Sequence, residues 1–249
     1  MRAGVFRTAI ALMALGLLTA GTAALAATKT GTSGNDKIDG TNQADTISGG
    51  HGNDKIRGLG GNDTLDGGPD SDSVDGGPGN DSVYGASCEY GTFGRFCDNP
   101  GNEILLGGPG KDRVLANDCV VSSCKHHRYI ALDSRLDGGP GRDLVVGADA
   151  NDTVHGGRGD DRVRGADGND RVFGDDGNDR VFGDRGNDRL YGGRGHDHIY
   201  GGPGNDTIYA RDDTGDTIDC GSGRDVAIVD PHDVVHNCET VRRSRDKRD

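Results

Sequence analysis

The stretch GADGNDRVFGDDGNDRVFGDRGNDRLY (165–191) is one nine-residue unit written three times, and its reading decides the fold. Each unit has Gly at position 1, Asp at position 6 and Val or Leu at position 8. Working outward, the same unit runs unbroken over 31–84 and again over 138–209. These are fourteen units, all with Gly at position 1, Asp at position 6 and Ile, Val or Leu at position 8. Glycines at positions 1, 2 and 4 predict a tight turn that uses positive φ angles. Positions 7 to 9 then form a very short strand, with position 8 inward and its neighbours outward. One apolar side chain per unit cannot make a core. Stacked units can, because position 8 of every second unit forms a continuous column, as in Ile38, Ile56 and Val74.

The turns stack too, so Asp36, Asp54 and Asp72 lie above one another along one edge. Carboxylates at strand spacing, roughly 4.8 Å, repel unless something neutralises them. A carboxylate column beside turn carbonyls is a hard-oxygen site, which suits Ca²⁺ and offers little to zinc or copper. The position-6 residues Asp36, Asp45, Asp54, Asp63, Asp72, Asp81, Asp112, Asp143, Asp152, Asp161, Asp170, Asp179, Asp188, Asp197 and Asp206 are the candidate ligands. Pairing each intact turn with the one two units later gives on the order of ten ions.

Composition alone points elsewhere. Of 249 residues only 31% are hydrophobic, Trp is absent and Gly occupies 46 positions, too little apolar surface to order a chain without the period. At the N-terminus, Arg2 and Arg7 precede a short apolar run from Ala9 to Leu18, and Ala24-Leu25-Ala26 supplies small residues for cleavage. Residues 1–26 are therefore expected to be a signal peptide, with the mature chain starting at Ala27. The run is too short to span a bilayer, and no second one follows. Removal of Arg2 and Arg7 leaves 26 basic residues against 41 acidic ones, a formal charge of −15. That balance argues against nucleic acid and membrane as partners and for cations.

Two interruptions keep the register. Residues 98–106 and 129–137 are degenerate units, with Glu103 and Ser134 at position 6. The true insertions are 85–97 and 116–128, each of thirteen residues and each with two cysteines. Seventeen units result. Residues 98–115 between the insertions make one coil, so both should leave the roll on one edge, on neighbouring rungs. All six cysteines lie outside the regular units, and an even count in an exported chain reads as disulfides. Cys220 and Cys238, eighteen residues apart, should meet one rung apart. Cys88–Cys97 and Cys119–Cys124 are the first choice for the others, although four cysteines allow three connectivities. A zinc cluster of Cys119, Cys124, His126 and His127 would fit no standard spacing.

These units resemble RTX (hemolysin-type) repeats, GGxGxDxUx. The resemblance covers about 31–209 and implies an all-β fold: a parallel β-roll (right-handed β-solenoid) with two units per coil and Ca²⁺ between successive turns. The roll is expected over 27–219, with 220–249 forming a C-terminal cap and basic tail. Unlike many members, the chain is expected to carry an N-terminal signal and no separate effector domain.

Other motifs have bland readings. Arg158-Gly159-Asp160 falls where the turn already requires Gly and Asp. The repeat itself generates the glycosylation sequons at Asn62, Asn80, Asn151 and Asn205. No EF-hand, nucleophile elbow, Walker loop or HExxH is present, so no enzyme is expected. Position 9 carries Phe173, Tyr191 and Tyr209 on one sheet and Phe182 and Tyr200 on the other; position 7 carries Arg162, Arg171, Arg180 and Arg189. These should form outward ladders, which either stiffen a thin roll or bind carbohydrate or an anionic polymer. The expected function is a secreted, calcium-ordered structural or surface-interaction module. Alternatives are a cell-wall or glycan-binding adhesin and a hydrolase with a site in the Cys-rich loops. Expected partners are calcium ions and a cell-surface glycan or protein.

Overall fold

Three-residue strands with a single inward side chain can be stable only by stacking, and the described residues stack them from Thr28 to Arg243. The structure, a computed structural model, describes residues 25–86, 89–91, 94–96, 103–117 and 133–243. Two eleven-stranded parallel sheets face each other. One begins at Thr28–Thr30 and ends at Val234–His236, and the other begins at Lys37–Thr41 and ends at Thr240–Arg243. Successive strands alternate between the sheets, so one coil is two units. The chain is an all-β solenoid of the β-roll type, with no helix among the described residues.

Register follows the period. Thr64, Leu65 and Asp66 pair with Ser82, Val83 and Tyr84, eighteen residues on. Position 8 fills the core: Ile47, Leu65, Val83, Val163 and Ile199 line one sheet, and Ile56, Val74, Val172 and Ile208 line the other, all at most 1% exposed. Ile38 at the open N-terminal edge is only partly covered. Across the insertions the separation becomes 31, as Asp72 and Glu103 show, so each insertion adds a coil-neutral thirteen residues. Ser82–Ala86 neighbours Arg113–Asn117, and Ile104–Leu106 neighbours Arg135–Pro140. Both insertions therefore run from the first sheet to the second, on one edge and adjacent rungs. Within the first, Glu89–Gly91 and Gly94–Phe96 form an antiparallel hairpin. Residues 1–24, Cys88, Cys97, Cys119, Cys124, His126, His127 and 244–249 lie outside the described residues.

The segment expected to cap the roll also contributes rungs to it. Val226–Val229, Val234–His236 and Thr240–Arg243 extend both sheets beyond residue 219. The period slips here: Thr207 pairs with Val226, nineteen residues on, while Thr217 pairs with Val234, seventeen on. Cys220 and Cys238 are bonded across this rung, with Cα atoms 5.1 Å apart.

The glycines divide the labour differently from the expectation. Positive φ occurs at positions 2 and 4, as at Gly193 (108°) and Gly195 (127°), and not at position 1. Position 1 is glycine for want of room. A Cβ on Gly174 would sit 2.6 Å from Asp179 Oδ2 and collide with the carbonyl oxygen of Gly192 on the next rung. Ala166, Asp175 and Asp184 occupy position 2 with positive φ, a conformation that disfavours side chains. Gly174→Ala should therefore destabilise the calcium-loaded roll by about 1–3 kcal/mol through overpacking. Ala166→Gly should be neutral or stabilising by up to about 1 kcal/mol, since relief of the left-handed strain outweighs the extra chain entropy. Denaturant titration in excess calcium measures both, and a destabilised Ala166→Gly would contradict the assignment.

Candidate metal centre

Position 6 is where backbone and carboxylate chemistry meet. The carbonyl of each position-6 residue accepts from the position-7 amide of the next rung, as in Arg189 to Asp170 at 2.8 Å. Its amide points up the same edge and donates to the carboxylate of the next position-6 residue. Asp54 donates to Asp72 Oδ1 at 2.8 Å, and Asp170 donates to Asp188 Oδ1 at 2.9 Å on that edge. On the opposite edge Asp63, Asp81, Asp112 and Asp143 are linked in the same way at 2.7–2.8 Å. Each carboxylate is thus fixed by one oxygen, and the column runs the length of the roll.

The second oxygen is the informative one. In Asp54, Asp63, Asp72, Asp81, Asp112, Asp143, Asp161, Asp170, Asp179, Asp188, Asp197 and Asp206, Oδ2 is buried without a hydrogen-bond partner. All twelve residues are at most 3% exposed. Each Oδ2 lies over the position-1 glycine of its own unit, beside the position-1 carbonyl of the next rung, as Asp179 does with Gly174 and Gly192. A buried carboxylate oxygen left without a donor is costly, and a carboxylate beside a carbonyl is a donor set for a hard divalent cation.

The electrostatics agree. Burial, reinforced by like charge on neighbouring turns, pushes Asp72, Asp170 and Asp179 up to about 8. Burial raises Asp81, Asp143, Asp161 and Asp206 to about 7, and Asp112, Asp188 and Asp197 to about 6. Without a counter-ion these columns cannot be fully ionised at neutral pH.

The remaining candidates differ. Asp36 is partly exposed, and its Oδ2 accepts from the Thr32 amide and hydroxyl. Asp152 Oδ2 takes the Ala148 amide at 2.7 Å. Burial opposes ionisation of Asp45, yet the amides of Ala27 and Thr41 hold its carboxyl below the usual range. The degenerate units keep the ladder without keeping Asp: the Asp72 amide donates to Glu103 Oε2 at 3.0 Å, and the Glu103 amide to Ser134 Oγ at 3.4 Å. Only Ser134 removes a carboxylate. Sequence reading left out Asp216 and Asp225, whose Oδ2 atoms are buried and unpartnered like the others. Their amide partners lie nineteen residues back, at Asp197 and Asp206. The signal was available, since Asp225 is position 6 of CGSGRDVAI.

The motifs given bland readings are absorbed by the fold. Asn62, Asn80, Asn151 and Asn205 use Oδ1 to accept the backbone amide of the next rung, forming an outer ladder. Asp160 of the Arg-Gly-Asp triplet holds the Asn178 amide at 3.0 Å. Phe173 stacks on His155 and Tyr191, Tyr191 on Tyr209, and Phe182 on Tyr200, with ring centroids 4.3–5.0 Å apart. His155 extends a ladder that was expected to begin at Phe173.

A parallel roll with a buried carboxylate column on each edge is a calcium-binding repeat architecture. The family model for four copies of the RTX calcium-binding nonapeptide repeat matches residues 30–65, 57–87, 137–172, 155–190, 173–208, 182–215 and 191–227. The chain belongs to that family and is a Ca²⁺-binding repeat protein. No curated protein matches the chain. Among the described residues no helix is long and apolar enough to cross a membrane.

Raised pKa values have a definite sign in the folding balance. Folded Asp179, at about 8 against an ordinary 3.8, binds a proton that the unfolded chain has released, so the calcium-free fold is favoured in acid. That contribution is lost as pH rises through about 8. In EDTA, sheet content should increase as pH falls from about 8 towards 5. Calcium affinity should change the opposite way, rising over the same interval as ions displace protons. Far-UV circular dichroism and proton release on calcium addition measure the two trends. Calcium-free order that grows with pH would refute the assignment.

Proposed function

We propose that the protein is exported and acts as a calcium-ordered structural or surface-interaction module, with the position-6 carboxylates as ligands. The observation that carries this reading is the repeated buried Oδ2 atom beside a glycine carbonyl on both edges. Asp54, Asp63, Asp72, Asp81, Asp112, Asp143, Asp161, Asp170, Asp179, Asp188, Asp197 and Asp206, each with glycine at position 1 of its unit, hold the ions. Bound Ca²⁺ supplies the positive charge that lets the carboxylates ionise in a dry turn, and on the order of ten ions are taken up. Extracellular calcium thus becomes the switch between an expanded chain and the roll, because metal binding supplies folding free energy. The chain's own residues contribute the backbone ladders, the single-file core and the Cys220–Cys238 staple at the C-terminal rungs.

Export is supported by the leader pattern and by the place of Ala27. Its amide donates to Asp45, which is 2% exposed and heads one carboxylate column. Cleavage after Ala26 would put an α-ammonium there, a cation closing the column where no preceding turn exists.

The hydrolase alternative gains nothing from the described residues. Among them no group of three or more His, Cys, Asp or Glu side chains is placed to hold a metal ion, and the column sites rely on backbone carbonyls beside their carboxylates. The stacked rings spend their faces on one another, which favours a stiffening role over stacking on neutral sugar.

At pH 7.5 in EDTA, far-UV circular dichroism should lack the sheet signal, and calcium at roughly 5–10 mM should restore it. Identical spectra in the two states would end the reading. Asp179→Ala should lower the number of ions bound and raise the calcium midpoint. Protein recovered from the medium of an expressing cell should begin at Ala27 by mass spectrometry. A retained leader would remove the export claim.

A further inference from the structure

The four units from Arg162 to Tyr191 carry a feature that calcium binding leaves unused. Arg162 pairs in register with Arg180 on one sheet, and Arg171 pairs with Arg189 on the other. Like charges on adjacent strands, about 4.8 Å apart, are unfavourable. Nothing in the strand requires them, since Thr46, Thr64, Thr153 and Thr207 serve at the same position. All four arginines are exposed. Arg57, Arg164, Arg185 and Arg194 have carboxylate partners. Among the described residues no such ion pair forms at Arg162, Arg171, Arg180 or Arg189. In a chain of formal charge −13, two unpaired cationic columns need a reason.

We propose that each column is a binding strip for an acidic polysaccharide, whose carboxylates are met by Arg171 and Arg189 on the outer surface of one sheet and, at a separate strip, by Arg162 and Arg180 on the outer surface of the other. The rung repeat sets the arginines in file along the roll axis, the arrangement that a linear polymer with spaced charges can follow. One ring steadies one of these guanidinium groups: Arg162 lies over Phe182 with its central carbon 5.1 Å from the ring centroid. The rings are stacked on each other, so the polymer is recognised by charge and not by sugar stacking. A nucleic-acid duplex fits less well. It carries about one charge per 1.7 Å, closer than the roughly 4.8 Å between rungs. The inference rests on calcium ordering the roll, because without the rungs the columns do not exist.

The test uses the mature chain and fluorescent hyaluronan oligosaccharides, a carboxylated polymer, read by fluorescence anisotropy in calcium. Wild type should bind, and affinity should fall as salt rises. The Arg171→Gln/Arg189→Gln and Arg162→Gln/Arg180→Gln variants should each lose one strip, about halving the oligosaccharide bound at saturation, and the variant with all four changes should lose about fivefold or more in affinity. Neutral dextran should not compete. Circular dichroism of each variant in calcium separates loss of the face from loss of the roll. Normal calcium-induced ordering with no hyaluronan binding, or with variants equal to wild type, overturns this proposal alone. Competition by duplex DNA at least as strong as by hyaluronan also overturns it. Absence of calcium-induced ordering overturns the earlier reading instead, and binding in EDTA that still requires the arginines would retain the face.

Discussion

Everything in this molecule depends on a carboxylate that is half satisfied. From Asp54 to Asp206 all but Asp152 of the position-6 Asp residues are pinned through Oδ1 by an amide of the rung before them and left with Oδ2 in a dry turn. The pinned half makes the turn geometry repeat. The unsatisfied half makes the repeat unstable at neutral pH unless a cation arrives. A core of one aliphatic residue per unit is too thin to carry that burden. If calcium orders the roll as proposed, fold and metal dependence are one property, and neither can be strengthened without changing the other.

The glycine at position 1 belongs to the same constraint. Filling its place with a methyl group would close the space shared by the carboxylate and the next carbonyl. The C-terminal rungs show what happens when that demand is relaxed. Position 1 there becomes Cys220, which is fully buried, and the covalent link to Cys238 holds the rung while the period drifts.

Much of this was legible in the residues. The alternation of Ile38, Ile47, Ile56 and Leu65 sets two sheets and their register, and the single coil 98–115 between the two insertions predicts their shared edge. Three things were hidden. The steric role of position 1 could not be told from a conformational one, because both are written as glycine. Asp216 and Asp225 were obscured by a single extra residue in 210–219 that shifts the period without breaking the ladder. Glu103 looked like a lost ligand, yet its longer side chain still reaches the amide of Asp72. The ladders at position 9 were foreseen, but their ring-on-ring geometry, which decides what they can touch, depends on side-chain angles that no pattern records.

The alternation of sheets also gives the chain a parity. Adding or removing eighteen residues leaves every later side chain on its own face. A change of nine would transpose everything downstream: the Phe173–Tyr191 ladder would move to the opposite sheet, and each carboxylate column would continue as the other. The number of units can therefore change only in pairs wherever the two faces differ. The two thirteen-residue insertions stand outside this count, since rungs across each are 31 residues apart, eighteen plus thirteen, and neither reverses the parity of the units beyond it.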